Sequence, residues 1–230
     1  MRSILNIAID TETLSVRPTA VITQISAKTF TFDDTDSKWD INSRKYTANI
    51  NIVPSLISGN FDIDKSTVEW WKKQTDEAKE QFNAPAVSLK EALIGLNNFI
   101  NNNCKLHQAD ERHIWMQGTD FDGAVLRNAY FETFPDDKEH MIPWHFHELR
   151  DSRTCIMEWY DLIHPDDEAN DPYAMIPEMK PEEWTGDMLN LAGFETNMHN
   201  AMYDCDWLIH NMKYIHNSMK LIILNTTANK

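Results

Sequence analysis

The sequence predicts an α/β domain, a mixed sheet covered by helices. Two observations lead there. The first 53 residues are dominated by β-branched and apolar runs of strand length, whereas from residue 64 onward apolar residues recur at helical spacing. Later helical stretches are separated by short apolar runs, giving the order β-β-β, helices, β, α, β, α, α.

Ile4-Leu5-Asn6-Ile7-Ala8-Ile9 reads as a strand buried on both faces. Ala20 to Phe32 and Lys45 to Val53 read as two more strands, which with short turns make an antiparallel meander. A helix then opens with Ser66 as N-cap and Glu69 three residues on, a capping box, and runs to Phe82 through Trp70 and Trp71. Leu89 to Ile100 is a second helix, capped by Ser88, with Leu89, Leu93, Leu96 and Ile100 on one stripe. His113 to Gln117 is a short strand ended by Gly118, and Asp122 to Phe131 a helix with Val125, Leu126 and Ala129 inward. Residues 133–148 form a loop, with a final strand expected at 144–147. Thr154 to Ile163 and Ala201 to Met219 are helices, the latter with Trp207, Leu208, Met212 and Ile215 apolar. Between them, residues 164–186 carry four prolines and many acids and read as a surface insertion in a single domain spanning 1–230.

Composition narrows the function. A chain of 230 residues with 42% hydrophobic residues can bury a sizeable core. No apolar run approaches the roughly 18 residues of a membrane span, and no signal peptide is read at the N-terminus. Three cysteines without metal-type spacing suit a reducing compartment, the cytoplasm. The net charge of −15 argues against passive coating of nucleic acid by a basic surface. The clusters Asp33-Asp34-Thr35-Asp36, Asp136-Asp137 and Asp166-Asp167-Glu168 read as solvated loops.

Three stretches carry chemistry. Asp10 and Glu12 end the first strand one residue apart. Side chains at i and i+2 of a strand share a face, so the two carboxylates project together. Side by side they repel unless a cation lies between them, and hard divalent ions prefer such oxygen ligands. The plainer alternative is that they cap the following turn. Asp122 follows the strand ended by Gly118 and opens a helix at the sheet's carboxyl end, where open α/β sheets bind ligands; it also fits as an ordinary first-turn acid. His199 and Asp204 are five residues apart, about 140° out of line on a helix turning about 100° per residue. If both serve one site, His199 lies in the loop before the helix and Asp204 in its first turns. Alone, His199 reads as a surface histidine. His145, His147 and Glu148 alternate like a zinc half-site, but without matching partners elsewhere they are not taken as one.

Together, Asp10-Thr11-Glu12, Phe121-Asp122 and His199-Asn200-Ala201-Met202-Tyr203-Asp204 resemble the three motifs of the DEDD exonuclease superfamily in its histidine branch. In the tyrosine branch a tyrosine would stand at the position of Asn200. Ser66 to Gln74 and Arg150 to Thr154 resemble the phage exonuclease A group and the related 3'-5' exoribonuclease-like domains. The resemblance covers about residues 4–215. It implies a ribonuclease H-like fold, a mixed five-stranded sheet flanked by helices. It implies 3'→5' removal of nucleotides from single-stranded nucleic acid with a free 3' end. Asp10, Glu12, Asp122 and Asp204 would hold two divalent ions, Mg²⁺ or Mn²⁺, and His199 would be the general base. Thr13, Leu14 and Phe121 would meet the terminal nucleotide. On the phage-like resemblance DNA is the first expectation, in the host cytoplasm if phage-encoded. RNA with the same chemistry is the second. A non-catalytic acidic binding protein is the third, and it would be expected to lack one or more of these acids.

Overall fold

β1 (Ile4–Thr13) is the axis of the molecule. In the computed structural model, which describes residues 3–32, 44–137, 141–164, 172–177 and 199–228, it pairs antiparallel with β2 (Ile22–Phe30) and parallel with β4 (Glu111–Met116). β3 (Lys45–Asn49) and β5 (Leu149–Asp151) complete a mixed five-stranded sheet of order β3-β2-β1-β4-β5. The expected meander is present in β1, β2 and β3, all antiparallel neighbours.

Alternation along β1 sends Leu5, Ile7 and Ile9 to one face and Ala8, Asp10 and Glu12 to the other. The first face is covered by α4 (Leu89–Leu106) and α5 (Asp122–Thr133), through Leu93, Leu96, Ile100, Val125, Leu126 and Ala129. The second is covered by α6 (Ser152–Ile163) and α7 (Ala201–Ala228), through Ile156, Trp159, Cys205, Leu208 and Met212. These two layers decide from which side each functional acid approaches the central strand.

The Ser88 cap forms with its reciprocal Glu91 bond, and α4 runs six residues past the expected end. Elsewhere boundaries move for local reasons. β3 stops at Asn49, and residues 53–58 instead form a short helix, α1 (Val53–Ser58), because Pro54 fits the first helical turn but not a strand ladder. The next helix, α2 (Lys65–Lys72), is capped by Asp64, whose carboxylate accepts the Ser66 N–H at 2.8 Å, so Ser66 lies inside the first turn rather than at the cap. That helix does not reach Phe82: it ends at Lys72, and α3 (Asp76–Lys79) and a 3₁₀ turn (Glu80–Phe82) follow. The last strand lies at 149–151, after a 3₁₀ turn at Phe146–Glu148, not at 144–147. Glu148 accepts from Arg112 Nε at 2.9 Å and the His145 N–H at 2.6 Å, which accounts for that acid without zinc.

Asp136 and Asp137 are exposed, as a solvated loop requires. The clusters at 33–36 and 166–168 lie outside the described residues, as does most of 164–186. The described part of that stretch packs inward: Ile176 joins the α6–α7 core, and Tyr173 stacks on Trp207 at 5.3 Å.

Candidate active site

Asp10 and Glu12 share the α7 face of β1, and Asp204 comes down onto them from the first turn of α7. Among the described residues these three form a group that could hold a metal ion, with one oxygen from each lying within 4.8 Å of the others. Glu12 is buried, and its Oε1 has no hydrogen-bond partner. A buried carboxylate oxygen without a donor is costly. With two more carboxylates beside it, the donor set is what a hard divalent cation takes. Burial, then the charges of Asp122, Asp204 and Glu12, hold the Asp10 carboxyl well above the usual range. Burial and the charges of Asp204 and Asp122 do the same for Glu12, and burial pushes Asp204 up to about 7.

Asp122 arrives from the opposite layer. It opens α5 after the turn at Gly118, whose φ of 133° suits glycine alone, and the Asp122 N–H closes that turn on the Gly118 carbonyl at 3.0 Å. Its Oδ1 accepts from the Thr11 hydroxyl at 2.6 Å and the Thr11 N–H at 3.2 Å. Thr11 points to the α5 face of β1 because it alternates with Asp10 and Glu12. Asp122 is therefore fastened beside the triad and raises the pKa of its members, while one of its oxygens belongs to Thr11. Burial lifts its own carboxyl to about 6 against the Thr11 bonds.

His199 lies in the loop just before α7, as the helical geometry requires, with φ at 71°. Its ring meets Trp70 edge-to-face at 4.4 Å and Trp71 at 6.4 Å, and burial lowers its pKa. The two tryptophans divide as their angular offset on α2 allows. Trp71 is 4% exposed and donates its indole N–H to the Thr13 carbonyl at 2.9 Å; Trp70 is 39% exposed beside His199. Thr13 and Leu14 are buried. Thr13 donates its hydroxyl to the Ser15 carbonyl, and Leu14 packs with Val21, Trp71 and Ala78. Phe121 is half-buried against the α4–α5 core. Arg150 lies 3.9 Å from Glu111 and donates to the carbonyls of His147 and Leu149. Asp151 caps α6 and accepts the Thr119 N–H.

Sequence reasoning missed Thr11, Gln24 and Gln81. Thr11 was visible between the two acids, and alternation alone marks it as facing the other layer. Gln24 lies opposite Glu12 only once the hairpin register is known, and Gln81 meets the His199 loop only in the folded chain.

A mixed sheet of this order, with acids gathered at the carboxyl end of its central strand, is the architecture that the resemblance to the DEDD 3'-5' exonucleases implies. Over residues 5–218 the chain matches the model of the Rv2179c-like 3'-5' exoribonuclease domain, and it belongs to that family. The match falls on the exoribonuclease-like side of the resemblance; nothing supports the phage-like side. No curated protein matches. Among solved structures, E. coli exonuclease I in its zinc-bound complex with single-stranded DNA is 16% identical, with a TM-score of 0.52 over 95% of this chain and 41% of that one. The same enzyme with a dT13 oligonucleotide is 14% identical, with a TM-score of 0.51 over 96% and 43%. With a dA16 oligonucleotide the values are 15%, 0.50, 93% and 41%. These likenesses show the ribonuclease H-like fold, and the chain spans about two fifths of the length of the exonuclease I chains it matches. No helix among the described residues is long and apolar enough to cross a membrane.

Proposed function

We propose that this domain removes nucleotides one at a time from the 3' end of single-stranded nucleic acid by hydrolysis dependent on two divalent cations, Mg²⁺ or Mn²⁺. The observation that carries this reading is the convergence of Asp10, Glu12 and Asp204 within 4.8 Å, with His199 in the adjoining loop. Asp10, Glu12 and Asp204 would hold the cations, with Asp122 completing the acidic wall. When bound, the cations would lower the pKa of an attacking water and stabilise the departing oxygen. His199 takes that water's proton on its imidazole. Burial keeps the ring neutral near pH 7 and so able to accept it. Trp70 and Trp71 stand against one side of the imidazole. Phe121 offers a half-exposed ring to the terminal base. Thr13 and Leu14, packed beneath, would shape the floor for the terminal nucleotide.

RNA is the first substrate to test, because the family description names exoribonucleases. DNA is the second reading: the exonuclease I complexes hold dA16 and dT13, on proteins at 14–15% identity. The experiment uses matched RNA and DNA oligonucleotides, 5'-labelled, with Mn²⁺ or Mg²⁺. The expected result is a ladder shortening by single nucleotides from the 3' end, faster on RNA and abolished by EDTA. Internal cleavage, or no cleavage of either strand, overturns the proposal.

A further inference from the structure

We propose that Gln24 and Gln81 are positioning residues: a pair of buried side-chain amides that clamp the loop carrying His199 and so aim its imidazole at the carboxylates. The inference rests on the reading of His199 as the general base.

Gln81 sits in the 3₁₀ turn Glu80–Phe82 and is buried. Its Nε2 donates to the His199 carbonyl at 3.2 Å and the Ala78 carbonyl at 3.0 Å, while its Oε1 accepts the Thr23 hydroxyl at 3.2 Å. Gln24 is buried on β2, in register with Glu12. Its Oε1 accepts the Ala201 N–H at 2.9 Å, and its Nε2 donates to Asn49 Oδ1 at 2.8 Å. The two amides grip the chain on either side of Asn200, and Asn200 itself caps α7 by accepting the Met202 N–H at 3.1 Å. The backbone of His199 is left-handed, a conformation that persists for a non-glycine residue only when its surroundings over-determine it.

The linkage runs to the site from both sides. Gln24, on β2, lies beside Glu12 of β1, so its hold on Ala201 ties the start of α7, and with it Asp204, to the strand pair that carries Asp10 and Glu12. Gln81 ties the His199 carbonyl to the segment that follows α2, the helix presenting Trp70 and Trp71. Losing the Gln81 bond leaves the acids in place and frees the imidazole. A displacement of about 1 Å at a reacting group can cost about a hundredfold in rate.

The test is a double-mutant cycle on the full chain with a 5'-labelled RNA oligonucleotide and Mn²⁺. Gln81→Met keeps the length and removes the amide. It should lower kcat by about 10- to 100-fold, leaving KM and the Mn²⁺ concentration dependence unchanged. In a His199→Ala background it should have no further effect, because its action passes through that ring. Gln81→Glu, which keeps an acceptor for Thr23 but offers His199 no amide donor, should be as impaired as Gln81→Met. A readout independent of activity is the His199 ring resonance in histidine-labelled protein, which should shift or broaden in Gln81→Met. Amide exchange at Ala201 should quicken in Gln24→Met, which carries the test if Gln81→Met fails to fold. An equal loss of rate with and without His199, or a change in KM or Mn²⁺ dependence in place of kcat, overturns the proposal. So does an unmoved ring resonance with a normal kcat while His199→Ala is inactive, an outcome that leaves the base reading standing. Full activity of His199→Ala instead removes the base reading, and the positioning role with it.

Discussion

His199 holds a left-handed backbone that costs a non-glycine residue on the order of 1–3 kcal/mol. Glycine adopts that conformation freely, whereas alanine does not. His199→Gly should therefore be more stable than His199→Ala by about 1 kcal/mol, or about 2–4 °C in thermal midpoint for a chain of this size. Both should lose activity alike, by about 10²- to 10⁴-fold as expected for a general base. Equal midpoints for the two variants would show that the loop relaxes when the imidazole is removed. The acids behave in the opposite sense. Asp204, lifted from 3.8 to about 7, contributes its share of stability below pH 4, and that share is lost as pH rises through about 7. In EDTA, Asp204→Asn should thus match the parent near pH 4 and melt above it at pH 8. Thermal melts at the two pH values check this, and no gain at pH 8 would contradict it.

Helix α7 delivers Asp204, and its seat on the sheet matters as much as the acid. Two residues on, Asp206 is buried and paired with Lys28 on β2 at 2.6 Å. Breaking a buried pair by removing one partner costs about 3–5 kcal/mol, because the other charge stays buried. Lys28→Met should therefore destabilise the chain by that order, and Lys28→Met with Asp206→Leu should recover most of it. Urea denaturation of the three proteins is the measurement. Strict additivity of the two substitutions would mean that the pair is not coupled. Helix α2 is fixed in the same spirit from the other side, since the Trp71 indole donates to the Thr13 carbonyl and joins the helix to the end of β1.

At the scale of the whole molecule the charge is −15, and carboxylates meet at the sheet's carboxyl end. Ligation of a divalent cation to the folded state alone adds stability as ligand concentration exceeds Kd, by about 2.7 kcal/mol at a hundredfold excess. Mn²⁺ should raise the melting temperature of the parent by several degrees, and leave that of Asp10→Asn nearly unchanged. A rise of the same size in both would place the ion elsewhere. Binding of an RNA oligonucleotide should also weaken sharply in EDTA, because an acidic surface offers phosphates little attraction by itself. Filter binding with and without Mn²⁺ reads this directly.

By itself the sequence determined the period of β1, the parity that pairs Asp10 with Glu12, the Ser88 cap and the loop position of His199. Each follows from spacing along one element, where geometry is local. Tertiary structure decided what spacing cannot carry. It set which layer covers each face of β1, so that Asp204 joins the triad while Asp122 is held by Thr11 from the other side. It buried Trp71 and left Trp70 beside the imidazole. It brought Gln24 and Gln81 to a loop 177 and 118 residues away. Contacts of that separation depend on packing and strand register, and neither is written in the neighbourhood of any one residue.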